Sequence, residues 1–417
     1  MYSSHMLPLD DLVDFDPSKD AAFFAALPAR PGVVLIEMRA AGARPHLVRT
    51  ADLRRAVERL LASPGAAKRL NLREVARRIR YRVTGSKFEQ TLTLYQHARA
   101  NFPDRYRDAL RLRTPALLKV NLRNEYPRCY VTRRLAGDGG FYFGPFASRR
   151  SADTFAEAFL DLFKIRRCQI KIRRDPEFPG CIYSEMKMCL APCFAGCTKQ
   201  AYDLEVATVL ETLDTAGAAL KAKFEREREA ASEALDFERA AALHKRLEKV
   251  SGALGGVAEI VRRIEDLDGV ILQRSAEPKT VMVFPLRSGF LDEPCVLNFV
   301  ELSSQPRSVE AILRERLEPK IDGAAITAPQ TAADSASSAA VAGESDFRAR
   351  YGLRAAPVEL GEHLALVTRW FYSKPREGEI LFRAGEWPYR RILRACSRLL
   401  APPVPPPTST EPRKSGA

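Results

Sequence analysis

The sequence predicts a multidomain protein of the α+β class. Its 417 residues are enough for about two or three domains. Runs of strand type occur near both ends, at 33–38 and 46–49 and again at 270–273, 280–286 and 295–302. Between them, residues 200–255 contain no proline and are rich in Ala, Glu, Lys and Arg, which is typical of helices. Strands and helices are therefore grouped in blocks, as in α+β proteins.

The first hundred residues begin with a short leader, residues 1–30, in which we expect a helical turn or two. The two N-terminal strands follow, and Asp52 then caps a helix. We expect an Arg-rich amphipathic helix near 72–79 and another helix over 92–100, which ends before Pro103.

The rest of the chain alternates between short strands and helices. Tyr130–Leu135 and Phe141–Phe143 flank a glycine-rich turn, which predicts a β-hairpin, and a helix follows over 152–163. We expect two helices within 200–255 and a small α/β piece from Pro357 onward. The Ala/Ser-rich segment 321–345 predicts a flexible linker, and the Pro-rich tail predicts disorder.

The composition and the N-terminal sequence predict where in the cell the protein is located. No apolar run approaches the ~20 residues that span a bilayer, and the acidic N-terminus lacks a signal-peptide core. These features predict a cytoplasmic protein with no membrane partner. The eight cysteines are then expected to be thiols or metal ligands rather than disulfides.

The positive charge is concentrated in one region. Residues 51–200 hold 31 Lys or Arg and 14 Asp or Glu, a balance of +17, so that the rest of the chain is near −3 against the net charge of +14. A localised single-sign field favours binding to a phosphate backbone. The predicted DNA contacts are Arg54, Arg55, Arg133, Arg134, Arg149 and Arg150. Nearby Tyr142, Phe143 and Phe146 are expected to pack in the core rather than stack on bases.

Five cysteines lie within 30 residues, in the spacing Cys168-x12-Cys181-x7-Cys189-x3-Cys193-x3-Cys197. Thiolates bind zinc or iron–sulfur clusters. Because no CxxC pair occurs, an iron–sulfur loop is favoured over a zinc ribbon. We expect the neighbouring Arg and Lys residues to lower the thiol pKa values. The isolated Cys129, Cys295 and Cys396 are interpreted as small apolar core residues.

The stretch from Tyr126 to Tyr202 resembles the UvrC family, the nuclease subunit of the bacterial nucleotide-excision-repair excinuclease. The segments YPRCYVTRRLAGDGGFYFGPFASRRSAD, LFKIRRC and GCIYSEMKMCLAPC carry the resemblance. It implies a 4Fe-4S cluster, with zinc as the alternative, on Cys168, Cys181, Cys189 and Cys193. Gly180 stands where the family usually has Pro, and Cys197 is left over.

Residues 233–250, EALDFERAAALHKRLEKV, resemble the UVR motif, a helical hairpin through which UvrC contacts UvrB. The resemblance implies a UvrB-like partner. The predicted contact face has helical spacing and consists of Leu235, Phe237, Ala240, Ala241 and Leu243.

UvrC-like N-terminal domains are GIY-YIG nucleases, which use two tyrosines, an arginine and a metal-binding glutamate. Val34 and His46 stand where this resemblance places the tyrosine motifs, Ala56 where it places the arginine, and Leu94 or Tyr95 where it places the glutamate. Neither Leu nor Tyr suits a divalent cation. We therefore expect a degenerate, inactive nuclease site.

The C-terminal part shows no element of an RNase H-like nuclease after residue 300, so the resemblance suggests a truncated UvrC-like chain. We predict, in chain order, a leader at 1–30, a degenerate GIY-YIG-like domain at 31–110, a hairpin, helix and cysteine region at 111–200, a UVR-like hairpin at 201–256, a UvrC-middle-like α/β region at 257–400 and a tail at 401–417.

The functional hypothesis is a UvrC-like nucleotide-excision-repair protein that binds DNA and UvrB and lacks nuclease activity. One alternative is an active endonuclease that uses substitute residues, such as Glu89 and His97. Another is a redox-responsive DNA-binding protein whose cluster regulates its affinity for DNA.

Overall fold

The computed structural model describes residues 7–16, 20–62, 70–318 and 357–401. The linker expected at 321–345 and the tail expected from residue 402 lie outside these ranges. In the described ranges, every helix is too short or too polar to cross a lipid bilayer.

The N-terminal part is a four-stranded antiparallel sheet in the order β1-β4-β2-β3, covered by helices. The expected strands at 33–38 and 46–49 are present, and Asp52 caps the following helix by accepting the amide of Arg55 at 3.0 Å. The elements are β1 Asp11–Asp14, α1 Asp20–Ala26, β2 Gly32–Met38, β3 His46–Thr50, α2 Leu53–Leu61, β4 Ala76–Val83, α3 Lys87–Asn101 and α4 Tyr106–Ala109.

Two expectations for this part are wrong. The leader is not separate, because its residues 11–14 form strand β1 on the edge of the sheet. The helix expected over 72–79 is instead strand β4. Its inward positions Ala76, Ile79 and Tyr81 are buried against the core, while Arg77 between them is exposed and Arg78 and Arg80 are half-buried. A paired strand between β1 and β2 satisfies more of this backbone than an isolated amphipathic helix would.

The middle part is a second antiparallel sheet in the order β6-β5-β7-β8. The hairpin expected between β6 and β7 does not form, because β5 lies between them and pairs with both. Tyr142, Phe143 and Phe146 are buried, which confirms the packing interpretation. The elements are β5 Ala116–Val120, β6 Cys129–Thr132, β7 Phe141–Phe146, α5 Arg149–Leu160, α6 Ile182–Glu185 and β8 Arg262–Arg263.

Three helices follow where the sequence analysis expected two: α7 Lys199–Asp214, α8 Ala218–Glu233 and α9 Phe237–Leu254. The extra break is at Ala216 and Gly217, which both have positive φ values, 48° and 82°. Helices α8 and α9 form a hairpin closed by buried apolar side chains, including Phe224, Leu243 and Leu247.

The C-terminal part contains a third sheet in the order β11-β10-β9-β13, with β12 also paired to β10. The segment expected as one strand over 295–302 is divided into β12 and helix α10. The elements are β9 Gly269–Arg274, β10 Thr280–Arg287, β11 Phe290–Leu291, β12 Cys295–Asn298, α10 Phe299–Ser303, α11 Val309–Leu317, α12 Pro357–Phe371, β13 Glu379–Phe382 and α13 Tyr389–Leu400.

A buried polar junction joins α12 to the N-terminal part. The Glu362 carboxylate accepts hydrogen bonds from the hydroxyls of Tyr95 and Tyr106, both at 2.8 Å, and from Nε of Arg107 at 2.6 Å. Glu362 is 5% exposed. A buried carboxylate costs free energy unless it is paired and hydrogen-bonded, so these three donors fix where α12 lies against α3 and α4.

His363 is the next residue on α12, and it packs edge-on against Tyr95. Its Nδ1 accepts the amide of Leu291 at 3.1 Å, which requires an unprotonated Nδ1. Burial lowers the pKa of His363 to about 4.

We predict that Glu362→Ala destabilises the chain by about 3 kcal/mol, because the two tyrosine hydroxyls and Arg107 lose their acceptor. Urea denaturation measures the change. Glu310→Ala is the control, since its exposed pair with Arg314 contributes less than ~1 kcal/mol. Equal losses in the two variants would contradict the assigned role of Glu362.

We predict that stability falls as the pH drops from about 6.5 to about 4. In that window an unfolded histidine binds a proton and the folded His363 does not, because its pKa is lowered to about 4. The contribution is on the order of 3 kcal/mol. The comparison is the pH dependence of the urea midpoint in the wild type and in His363→Asn, which we expect to show a shallower loss over this window.

Candidate functional site

The cysteine segment runs between α5 and α7 and is held at both ends by hydrogen bonds. The Tyr202 hydroxyl donates to the carbonyl of Pro127 at 2.7 Å and accepts the amide of Arg166 at 3.0 Å. Further along, the amide of Leu190 donates to the carbonyl of Lys164 at 2.9 Å. The segment is thereby fixed against the start of β6 and the first turns of α7.

The backbone of the segment makes tight turns at residues other than glycine. Lys187, Ala191 and Ala195 have φ values of 55°, 56° and 60°. L-amino acids rarely adopt this region, and outliers of this kind cluster at functional sites. Gly180 has a φ of 83°, which the Pro expected from the family pattern cannot adopt. The backbone of this chain therefore takes a conformation before Cys181 that a proline at this position would not allow.

The four cysteines that the sequence analysis selected lie close enough to influence one another electrostatically. The pKa of Cys189 is raised to about 11, mainly by burial and to a lesser degree by the neighbouring Cys168, Cys193 and Cys181. The pKa of Cys193 is likewise raised by burial and then by Cys181 and Cys168. Across the described ranges, however, no group of three or more Cys, His, Asp or Glu side chains is placed so that it could hold a metal ion.

Cys197 differs from these four. Its pKa is raised by burial and, among the thiols, only by Cys193, while Arg174 lowers it.

The Cys189 sulfur accepts a hydrogen bond from the backbone amide of Ala191 at 3.3 Å. Amide donors of this kind favour the thiolate form that metals require.

The expectation that basic neighbours lower the thiol pKa values is wrong for Cys189 and Cys193, where burial dominates. The arginines next to Cys168 are used elsewhere. Arg166 donates to the carbonyls of Tyr126 and Ile170 at 2.7 and 2.8 Å, and Arg167 pairs with Asp161 at 2.8 Å. Their charge stabilises backbone turns rather than thiolates.

Of the isolated cysteines, Cys129 and Cys396 are buried and Cys295 is half-buried against the C-terminal core.

The four degenerate nuclease positions do not form one pocket. Val34 and Ala56 are buried, and Val34 lies in the core between the first sheet and α2. Tyr95 is buried in a different core, where it donates to Glu362. His46 is half-buried at the start of β3, and burial lowers its pKa.

Glu89 and His97, the residues that the alternative of an active endonuclease would use, are also buried. Glu89 is 1% exposed, pairs with Arg82 at 3.1 Å and accepts the amide of Gly85 at 2.8 Å. Burial raises the pKa of Glu89. His97 is buried, and its Nε2 lies 2.9 Å from the carbonyl oxygen of Leu7. Both side chains have structural partners, so neither is presented to a bound phosphodiester.

The predicted DNA contacts differ in exposure. Arg54 is half-buried and donates to the carbonyls of Leu27 and Ala25 at 2.9 and 3.2 Å, so it anchors the end of α1. The other five are exposed: Arg55, Arg133, Arg134, Arg149 and Arg150. Of these, Arg149 pairs with Asp153 at 2.9 Å on its own helix.

The predicted partner face is divided in two. Leu235 and Phe237 are 72% and 67% exposed at the turn between α8 and α9, whereas Leu243 is buried inside the hairpin. Ala240 is half-buried and Ala241 is exposed. Leu235 has a φ of 58°, an unusual conformation for leucine, which holds its side chain at the tip of the hairpin.

Sequence reasoning missed the junction at Glu362. The available signal was a second acidic residue, after Glu359, in the mostly apolar helix Pro357–Phe371. Its partners lie 255 to 267 residues earlier in the chain, and no local pattern indicates them.

Part of the chain is similar to a known protein family. Residues 116–212 match the family model described as UvrC/Cho excinuclease, middle domain. This part of the chain is therefore similar to the UvrC/Cho middle domain, and it consists of β5, β6, β7, α5, the cysteine segment and most of α7. This match confirms the resemblance to the UvrC family, together with similarity to proteins named UvrABC system protein C.

Similar proteins named UvrABC system protein C come from several bacteria. The one from Dehalococcoides mccartyi is 29% identical over 274 residues, which cover 64% of this chain and 44% of that protein. The one from Desulforudis audaxviator is 30% identical over 269 residues, covering 63% of this chain and 42% of that protein. The chain thus spans less than half the length of these relatives. No solved structure matches it.

Proposed function

We propose that this protein acts in nucleotide excision repair, where it binds DNA and a UvrB-like partner without cutting the DNA. One observation carries the proposal. Of the positions where the family keeps nuclease residues, Val34, Ala56 and Tyr95 are buried and His46 is half-buried, and Val34 and Tyr95 lie in separate cores. The arginines predicted to contact DNA are mostly exposed, and so is the apolar tip of the hairpin.

DNA binding is supported by exposed arginines in the region of excess positive charge. Arg55 has a side chain that is 85% exposed, and its ion pair with Asp52 is long, at 3.6 Å. Arg150 is exposed in the first turn of α5. Phosphate contacts require positioned charge rather than base recognition, so the proposed binding is weakly dependent on sequence.

We predict that the wild type binds duplex DNA with an affinity that falls steeply as salt increases. Arg55→Gln and Arg150→Gln should each weaken binding to all sequences and reduce the salt slope by about 1. Fluorescence anisotropy over a range of salt concentrations measures both effects. Arg390→Gln on α13 is the control and should bind like the wild type, because this exposed arginine lies outside the basic region. A salt-independent affinity would rule out backbone binding.

The proposed cofactor is a 4Fe-4S cluster held by Cys168, Cys181, Cys189 and Cys193, with zinc as the alternative. The donor set suits it, because four thiols without a carboxylate among them are soft ligands. The mutual influence of these thiols supports the assignment. Metal binding would offset the cost of buried thiolates, since ligation deprotonates the thiols. Such a cluster would serve as a structural brace that joins the two ends of the segment.

We predict that anaerobically purified protein is brown and contains about four irons per chain. Cys189→Ser should lose the visible absorption and most of the iron. Cys197→Ser is the matched control and should retain both, because Cys197 interacts with only one of the four thiols. Colourless wild-type protein with stoichiometric zinc would overturn the iron assignment, and equal iron loss in both variants would overturn the ligand set.

The partner surface is proposed at the tip of the α8–α9 hairpin. Two large apolar side chains, Leu235 and Phe237, are exposed next to each other there. An isolated hairpin gains little from exposing them, while a partner helix pair of UvrB type would bury both. Leu243 belongs to the hairpin core and acts only by holding α9 against α8.

We predict that Leu235→Ala combined with Phe237→Ala weakens binding to a UvrB-type protein at least tenfold and leaves the melting temperature unchanged. Aromatic and large apolar side chains at the centre of an interface carry most of its binding energy. Leu204→Ala removes an equally exposed leucine from α7 and should have no effect. Isothermal titration calorimetry measures the affinity of the wild type, the double variant and Leu204→Ala for the partner. The same affinity in all three would mean that the partner binds at another surface.

A further inference from the structure

A cavity lies where the middle domain meets α12. It has a volume of about 250 Å³. Its wall contains four arginines, Arg111, Arg113, Arg133 and Arg369, and no Asp, Glu or His. These arginines come from the loop before β5, from the end of β6 and from α12, so the fold gathers them from distant parts of the sequence.

No acid among the described residues neutralises the positive charge at this cavity. None of the four arginines forms an ion pair with an acid in the described part of the chain. Arg369 donates instead to the carbonyls of Leu110 and Arg111, at 3.3 and 2.9 Å. The pKa of Arg369 is lowered by burial and then by the positive charge of Arg49. Like charges gathered around one cavity repel one another, and a bound anion would reduce this repulsion.

A helix N-terminus adds to the same wall. Ser148 lines the cavity and is the N-cap of the 12-residue helix α5. Its hydroxyl accepts the amide of Ser151 at 3.0 Å. The amides of Arg149 and Arg150 precede it in the first turn, where no intrahelical acceptor is within reach. Helix N-termini bind phosphate groups through such amides.

A buried hydroxyl provides an independent indication of a ligand. Thr368 lines the cavity and is 8% exposed, and its Oγ1 has no hydrogen-bond partner among the described residues. Buried polar groups almost always have partners, and an exception calls for an explanation. A phosphate oxygen would accept from this hydroxyl while the arginines balance its charge.

We propose that this cavity binds a phosphate monoester or free inorganic phosphate. The cavity is smaller than the ~300–1,000 Å³ typical of drug-sized ligands, so it suits a small anion rather than a whole nucleotide. Phe146, the aromatic residue of the wall, is buried and packs against Phe155 in the core. The site therefore recognises charge and not a base. A 5′-terminal phosphate of a nucleic acid strand is one source of this group, and free phosphate is the other.

The test uses the full chain and does not require duplex binding. A short single-stranded oligonucleotide is titrated with and without a 5′ phosphate, and inorganic phosphate is then added as a competitor. We expect the phosphorylated strand to bind about tenfold more tightly, and Thr368→Val and Arg113→Gln each to remove most of this difference. Arg123→Gln, an exposed arginine outside the cavity, should preserve it. Melting temperatures check that the variants fold.

A second measurement keeps the proposal testable if a variant does not fold. Hydrogen exchange of the wild type, with and without inorganic phosphate, should show protection in the first turn of α5 and around Thr368. Protection by inorganic phosphate without a preference for the phosphorylated strand would identify free phosphate as the ligand of the same site. Equal affinity for both strands together with unchanged exchange would overturn the proposal. Loss of duplex binding alone would bear on the proposed function and not on this site.

Discussion

The buried carboxylate of Glu362 is the constraint on which much of the remaining structure depends. It holds α12 against α3 and α4 through Tyr95, Tyr106 and Arg107. A charge removed from water must be satisfied by partners in a fixed geometry. Helix α12 therefore has one position relative to the N-terminal part, and everything built on this helix inherits that position. Thr368 and Arg369, one to two turns further along α12, reach the basic cavity for this reason.

The same junction explains why the nuclease site is inactive in this proposal. Tyr95 stands at the position where the resemblance places a metal-binding glutamate, and its hydroxyl is committed to Glu362. Val34 packs into the core beneath the first sheet. Glu89, the nearest acid, is buried with Arg82. In the proposed function, these side chains serve packing rather than cutting, and the domain serves as a scaffold that positions the basic surfaces.

Much of the local structure could be predicted from the sequence, because local patterns encode it. The β2 and β3 strands and the cap at Asp52 follow from alternation and from capping chemistry. Strand β4 could not, since its arginines mimic a helical polar face until neighbouring strands pair with it. The pairing of β5 between β6 and β7, the junction at Glu362 and the basic cavity depend on contacts between residues far apart in the chain, and no sequence window contains them.

The central claim is that the protein binds DNA and does not cut it, and one experiment measures both properties on the same molecule. Labelled supercoiled and damaged duplex DNA is incubated with the protein in magnesium or manganese, at concentrations where a parallel gel-shift shows the DNA to be bound. We expect the DNA to be fully bound and intact. Metal-dependent nicking that disappears in Glu89→Ala would contradict it, because that result would require the buried Glu89 to leave Arg82 and act on the phosphate.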